Sequence, residues 1–336
     1  MLSFDFYESG IGETTIVNLP DGSIGLVDAC PSTLAKRPTI SELIKGRQIR
    51  FICLTHPHED HYADLPDVFR NSPPDEFWHT ISDTQAFFYS ISEYMDFPST
   101  KEALMKILVK RTKPLIDIFH DCLEKNITQI IVSDTSSFKI ADVEVSFLAP
   151  SNSTLSKYKY AMQKCAKGKL KVMPSPNTIS SAVVFHYKGF TFIHGGDVEA
   201  EQWKSAVHTA HQRNLPHASV FKIPHHGSQN TLSPKESENF TTLFSGKTST
   251  VIFGNSTHPA LNVFRILSEK SADMYFLINR FSSSNPLGIP DAVCLSTPNI
   301  CNEHVRLEID DNGTHLFTIG KGCAACGRLP VCLHDM

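Results

Sequence analysis

Short apolar runs alternate with helical stretches along most of the chain. Thr14-Thr15-Ile16-Val17-Asn18-Leu19, the turn residues Pro20-Asp21-Gly22 and the returning run Ser23-Ile24-Gly25-Leu26-Val27-Asp28 predict a hairpin. Thr39 to Lys45 reads as a short helix, and Phe51-Ile52-Cys53-Leu54 as a buried strand. From about 82 to 126 the pattern changes. Ala86-Phe87-Phe88, Ile91, Tyr94-Met95, Leu104, Ile107-Leu108, Leu115-Ile116 and Ile118-Phe119 recur near helical spacing and predict a helical insertion, its aromatic stripe serving as core or dimer surface. Strands return at Ile130–Val132, Ser137–Ile140 and Val143–Leu148. Beyond Ser151 the chain is polar and carries Lys157, Lys159, Lys164, Lys167, Lys169 and Lys171; a solvated loop or helix face is the simpler reading, a lid over an anionic substrate the other.

The second half repeats the alternation. Ala182–Tyr187 and Phe190–Ile193 flank the turn Lys188-Gly189 as a hairpin, followed by a helix from Glu199 to Arg213. Ser219–Ile223 and Thr250–Gly254 read as strands, Ala260–Lys270 as a helix and Met274–Ile278 as a strand. A last hairpin joins Val305–Ile309 to Thr314–Ile319 through Asp311-Asn312-Gly313.

Composition adds little to this picture. The chain has 336 residues, 41% hydrophobic and 20% charged, which suits a folded domain with a substantial core. Its formal net charge of -4 gives no global basic signature for nucleic acid. The start, Met1-Leu2-Ser3-Phe4-Asp5-Phe6, lacks a basic region followed by an apolar stretch, and no apolar run approaches the ~20 residues that span a bilayer. Nine cysteines, an odd and scattered set, fit reduced thiols, so a cytoplasmic protein with no membrane partner is expected.

The chemistry concentrates at strand ends. Directly after Phe51–Leu54 comes Thr55-His56-Pro57-His58-Glu59-Asp60-His61, three imidazoles and a carboxylate within six residues. Imidazole nitrogen and carboxylate oxygen suit zinc, manganese or iron, and this is more than one tetrahedral ion needs alongside further ligands. Three other strand ends carry such groups: Asp197 after Gly195-Gly196, the pair His225-His226, and His258. In α/β proteins ligands bind beyond the carboxyl ends of strands. His56 and His58 alternate toward one ion, and Asp60 and His61 fall to a second. Asp197 supplies an oxygen able to bridge them. One of His225 and His226 completes a metal shell, while the other touches substrate or orients a ligand. His258 donates to an anionic oxygen or ligates. Lys222 and Ser228 suit a phosphate. Two ions about 4 Å apart clamp an attacking hydroxide and a developing oxyanion, which is hydrolytic machinery with Asp60, His226 and His258 as its catalytic groups.

These residues resemble the metallo-β-lactamase superfamily. The pattern His56-x-His58-x-Asp60-His61, the early Gly22-x5-Asp28 hairpin, Gly196-Asp197 and the later histidines stand in that family's order. Within it, the chain is similar to the hydrolase domain of competence-type DNA-internalisation proteins. The segments that carry this are Leu19-Pro20-Asp21-Gly22, Leu54-Thr55-His56-Pro57-His58, Asn177-x2-Ser180, Lys222-x-Pro224-His225-His226-Gly227-Ser228 and the Val305–Ile309 hairpin. The resemblance implies an α/β fold of αββα sandwich type over residues 1–320, two divalent metal ions (Zn or Mn), and a phosphodiester substrate such as nucleic acid or a nucleotide. It also marks a departure: the family's histidine between the first cluster and Gly-Asp is not evident.

The tail, residues 321–336, offers Cys323, Cys326, Cys332 and His334 as ligands for one further structural zinc, or as reduced thiols on a loose end. Three functional readings follow. The first is a binuclear metal-dependent phosphodiesterase or nuclease. The second is a hydrolase of a neutral ester, lactone or thioester, its apolar pocket lined by the Phe-rich insertion. The third is a non-enzymatic, metal-stabilised module of a larger assembly, with the insertion as a homo-oligomer or partner surface.

Overall fold

A computed structural model describes residues 1–9, 12–31, 38–88, 101–170, 172–232, 239–254, 258–278, 299–301 and 304–319. Sixteen strands, numbered along the chain, form two sheets of eight among these residues. The first sheet runs β16 (His315–Ile319), β15 (His304–Ile309), β1 (Leu2–Ser9), β2 (Gly12–Asn18), β3 (Ile24–Val27), β4 (Ile49–Cys53), β5 (Glu76–His79), β6 (Thr128–Ile131). The second runs β14 (Asn299–Cys301), β13 (Met274–Ile278), β12 (Phe244–Gly254), β11 (Ala218–Lys222), β10 (Phe190–His194), β9 (Ala182–Tyr187), β8 (Val143–Ala149), β7 (Ser137–Ile140). Each sheet is antiparallel at one end and parallel at the other, the parallel members being β3 to β6 and β10 to β14.

The period-2 alternation of side chains sorts the strands' residues into layers. On β4, Phe51 and Cys53 enter the core between the sheets, while Ile52 faces helices outside. On β15, Val305, Leu307 and Ile309 point in and His304, Arg306 and Glu308 point out. The inter-sheet core is rich in rings: Phe51 stacks on Trp78 at 4.2 Å between centroids, and Phe4 lies 4.5 Å from Phe192 on the opposite sheet. Phe51 lies flat over Gly25, where any Cβ would collide with its ring.

Helices cover both outer faces, completing an αββα sandwich. On the second sheet, helix Ala200–Gln212 buries Trp203, Ala206, Val207 and Ala210, an i, i+3, i+4, i+7 stripe, and helix Leu261–Lys270 buries Val263, Phe264 and Leu267. On the first, helix Lys101–Glu124 buries Leu115, Ile118, Phe119 and Cys122. The expected insertion is helical where it is described, at 84–88 and in Lys101–Glu124; residues 89–100, with Ile91, Tyr94 and Met95, lie outside the described residues.

The lysine-rich segment after Ser151 resolves into helix Asn152–Ala166. The Ser151 hydroxyl accepts from Thr154 N at 3.1 Å as its cap, and Leu155, Tyr158, Met162 and Cys165 are buried beneath it. Lys157, Lys159, Lys167 and Lys169 face solvent. β12 begins at Phe244, earlier than the apolar run alone indicated. The tail ligands Cys323, Cys326, Cys332 and His334 lie outside the described residues. No described helix is long and apolar enough to cross a membrane.

Because Phe51 fills the space over Gly25 and against Trp78, Phe51→Ala leaves a cavity that neither neighbour can fill. We expect it to destabilise the fold by about 3–5 kcal/mol, read as a lowered urea midpoint with an unchanged slope.

Candidate metal centre

Five strand ends of the parallel halves converge. β3 ends at Asp28, β4 at Thr55–His61, β10 at Gly195–Asp197, β11 at Pro224–Ser228, and β12 leads toward His258. Asp28, His225 and His226 all adopt left-handed backbone, with φ of 56°, 48° and 56°. That conformation is uncommon outside glycine and concentrates where side chains are aimed for function. Gly196, with φ 51°, has a stricter reason: a Cβ there would lie 2.3 Å from Ser181 O.

Asp28, fully buried, organises the first cluster. Its Oδ1 accepts from Thr55 N at 2.8 Å, and its Oδ2 accepts from Thr55 Oγ1 at 2.7 Å and from His61 Nδ1 at 2.7 Å. With its own proton directed to Asp28, Thr55 Oγ1 accepts from His56 Nδ1 at 3.1 Å. Both histidines therefore carry a proton on Nδ1 and turn Nε2, the atom each would offer a metal ion, inward. His226 is set the same way, its Nδ1 donating to Phe253 O at 3.0 Å.

The first two of those Nε2 atoms face Asp197. His61 Nε2 lies 3.6 Å from Asp197 Oδ1, and His56 Nε2 lies 3.7 Å from Oδ2. His225 Nε2 approaches the same Oδ2 at 3.8 Å, and Asp60 Oδ2 stands 3.8 Å from His61 Nε2. His61 Nε2 and Asp197 Oδ1 are buried and have no hydrogen-bond partner. Two ligands each about 2.0–2.2 Å from a tetrahedral ion stand ~3.4 Å apart, so these spacings suit a shared cation better than a direct contact. Among the described residues, four donor groups at this centre have members all within 4.8 Å of one another: His56, His61 and Asp197; Asp60, His61 and His226; Glu13, Asp197 and His226; and Glu13, Asp28 and His61; a fifth, His120, Asp121 and Glu124, lies on helix Lys101–Glu124. His58 and His225 border them, His58 Nδ1 being 2.8 Å from His56 Nε2. His258 is half-buried, its ring 6.3 Å from that of His225. The donor set thus fits the divalent ions expected of it.

Of the two expected substrate contacts, Lys222 points elsewhere and Ser228 also caps a turn. Lys222 is fully buried, its ammonium bonded to Glu13 Oε2 and, at 3.2 Å, to Gly196 O, so it serves the interior and not an open cleft. The Ser228 hydroxyl accepts from Asn230 N at the cap of the turn Gln229–Thr231 and shapes the loop.

Glu13 joins the centre without being marked by any motif, while Ser180, Asn177 and His194 take roles there that the sequence alone does not specify. The apolar run that begins at Thr14 hides Glu13, an acid inside a strand that is buried from Gly12 to Val17. Ser180 Oγ accepts from Asp197 N at 2.8 Å and lies 3.5 Å from His56 Nδ1. Asn177 Nδ2 donates to Glu199 Oε1 at 3.3 Å and sits 3.5 Å from His225 Nδ1. His194, at the end of β10, accepts from Gly196 N at 3.3 Å.

Electrostatics follow from burial. Desolvation holds His56 and His194 well below the usual imidazole range and brings His226 down to about 4. Burial opposes the charged form of His61 too, but Asp28, Asp197 and Asp60 outweigh it and hold its pKa well above 6.5. Burial would raise Asp197, yet the surrounding imidazoles depress it. Burial pushes Glu13 up to about 8, against the pull of Lys222.

A raised pKa means that His61 binds a proton in the metal-free protein that a metal ligand cannot keep. Acid therefore favours the metal-free form, and affinity for Zn²⁺ or Mn²⁺ should fall as pH is lowered. Calorimetry in buffers of different ionisation enthalpy should register proton release on binding. Asp28→Asn, which removes the acceptor that orients His56 and His61, should weaken metal binding by roughly 10–100-fold in a chelator competition.

Comparison with known proteins gives the following. Similar solved structures include a CmlA beta-hydroxylase mutant (TM-score 0.41, 12% identity, 82% of this chain and 45% of that one). They also include Igni18, a metallo hydrolase from the hyperthermophilic archaeon Ignicoccus hospitalis (0.40, 11%, 95% and 100%). A third is the metallo-beta-lactamase fold protein YhfI from Bacillus subtilis (0.42, 12%, 95% and 100%). The chain spans less than half the length of the first of these. No curated protein matches it. Residues 10–88, which hold Glu13, Asp28 and the whole 56–61 cluster, match the family model of the Metallo-beta-lactamase superfamily.

Proposed function

We propose that the protein is a hydrolase that uses two divalent metal ions and acts on phosphodiesters. One observation carries the reading: Asp197 stands between two sets of imidazoles, Oδ1 facing His61 and Oδ2 facing His56 and His225. A structural zinc site closes a single tetrahedron and has no use for a carboxylate shared between two donor sets. Asp60, His61 and His226 belong with Oδ1, and His56, His58 and His225 with Oδ2. On this assignment both tandem histidines ligate, and His225 takes the part of the histidine missing from the middle of the sequence.

Two such ions would supply Lewis acidity, lowering the pKa of water toward neutrality and offsetting negative charge at the reacting centre. The chain's own residues do the rest. Asp28, through Thr55, keeps His56 and His61 in the tautomer that presents Nε2, and Phe253 O does the same for His226. Ser180 pins the backbone of Asp197. His258, beside His225 and held below the usual imidazole range chiefly by burial, is a neutral group placed to donate to or accept from a bound phosphate oxygen. The choice of phosphodiesters over neutral esters rests on the competence-type motif around Leu19–Gly22 and Lys222–Ser228, which argues for nucleic acid or a nucleotide as substrate.

Asp60 is 28% exposed at its side chain, so Asp60→Ala should leave the fold intact. It should abolish hydrolysis of a generic phosphodiester such as bis(p-nitrophenyl) phosphate in the presence of Mn²⁺ or Zn²⁺. Undiminished turnover by the variant would refute the assignment. Faster turnover of a thioester than of the phosphodiester by the unaltered enzyme would shift the substrate class to neutral esters.

A further inference from the structure

Beneath the centre lies a polar contact between the two sheets. Glu13 comes from β2 of the first sheet and Lys222 from the end of β11 of the second, and both are wholly shielded from solvent. Lys222 Nζ bonds Glu13 Oε2 and sits 5.7 Å above the Phe253 ring, so apolar packing encloses the contact. Polar groups buried this deeply are destabilising unless every member is partnered. This pair leaves one atom over: Glu13 Oε1 has no hydrogen bond and lies 3.7 Å from His226 Nδ1.

The contact reaches the metal ligands through the backbone. The second bond of Lys222 Nζ is to Gly196 O, the carbonyl that also accepts from His225 N at 2.9 Å. Gly196 is the left-handed residue directly before Asp197, and its amide donates to His194 Nδ1 at 3.3 Å. One ammonium therefore grips the peptide from which Asp197 projects, and that same peptide holds the backbone of His225. Glu13 in turn holds the ammonium and stands next to His226. Asp197, His225 and His226 are thus all referred to a single point between the sheets.

We propose that Glu13 and Lys222 are a positioning pair for the metal centre, which set the Gly196 peptide and with it Asp197 and the tandem histidines. The inference rests on reading these residues as metal ligands, and it differs from that reading in naming what holds them in register. It also assigns Lys222 a role away from the substrate. A pair that only balanced buried polarity could be replaced by neutral side chains of similar size without consequence for the centre.

The discriminating protein is the double variant Glu13→Met/Lys222→Met. Replacing a buried ion pair by groups of similar volume is often neutral for stability, so a folded protein with a near-unchanged melting temperature is expected. The readout is binding of Zn²⁺ and Mn²⁺ to metal-free protein, by stoichiometry and by chelator competition. Positioning predicts that affinity for at least one ion falls by about 10–100-fold, as for other residues that orient ligands. Affinity within twofold of the unaltered protein overturns the proposal. Glu13→Asp, which keeps the carboxylate but withdraws it by one methylene, covers the case in which the double variant does not fold: the same loss supports positioning, and unaltered affinity overturns it. If the unaltered protein itself binds no metal, the metal-centre reading fails first; binding there with none lost in the variants fails the positioning pair alone.

Discussion

The hydrogen bonds around Asp28 are the constraint on which the centre depends. One carboxylate accepts from a backbone amide, a hydroxyl and an imidazole, and through the hydroxyl it fixes a second imidazole. The consequence is chemical as well as geometric. An imidazole ligates only through a nitrogen without a proton, so which tautomer is populated decides whether a metal site exists. Asp28 makes that choice for His56 and His61 at once. Its left-handed backbone turns the chain from the end of β3 toward the end of β4, where Asp28 N meets Cys53 O at 2.9 Å. The local strain is held by the bonds that give the residue its purpose.

The sandwich solves a different problem, that of concentrating polar groups without losing the core. Rings of Phe4, Phe51, Trp78, Phe185 and Phe192 fill the space between the sheets, while the strand ends leave one rim where polar groups accumulate. Across that rim the sheets are tied by Ser181 N, which donates to Thr55 O at 3.0 Å, and by Lys222 on Glu13. The rim gathers Asp28, Asp197 and Glu13 almost wholly out of water, with Asp60 beside them. Buried carboxylates on this scale require compensating positive charge. Lys222 supplies one unit and the proton held by His61 another, and the orphaned Asp197 Oδ1 marks where more is needed.

How much of this was legible in the sequence depended on distance along the chain. The 56–61 cluster could be read because its members are neighbours, and the strand before it has an alternation that survives inspection. Asp197 and His225-His226 could be read because strand, polar end and helix recur with regular spacing. Lys222 was legible as a motif member but not in its direction. At a strand end, one register step decides between cleft and interior, and its partner Glu13 is 209 residues away. The cap that the Ser228 hydroxyl provides was hidden for a similar reason, since it answers to a turn formed only when the following residues fold. Asp28 was visible as the end of a hairpin, but its three acceptor bonds involve residues beyond β4 and could not be inferred from the hairpin.

The missing middle histidine shows how the two kinds of information combine. The segment Asn177–Ser181 crosses the centre with no imidazole in it, yet it is not a passive gap. Ser180 holds Asp197 and lies beside His56, while Asn177 lies beside His225 and bonds Glu199. Its polar side chains thus brace ligands supplied by other loops. His225 adopts a left-handed backbone and directs Nε2 to the Asp197 oxygen already faced by His56. Both histidines after β11 have positive φ, which sets His225 against Asp197 Oδ2 and turns His226 Nδ1 toward Phe253 O and Glu13, so the tandem reaches the rim and the interior at once.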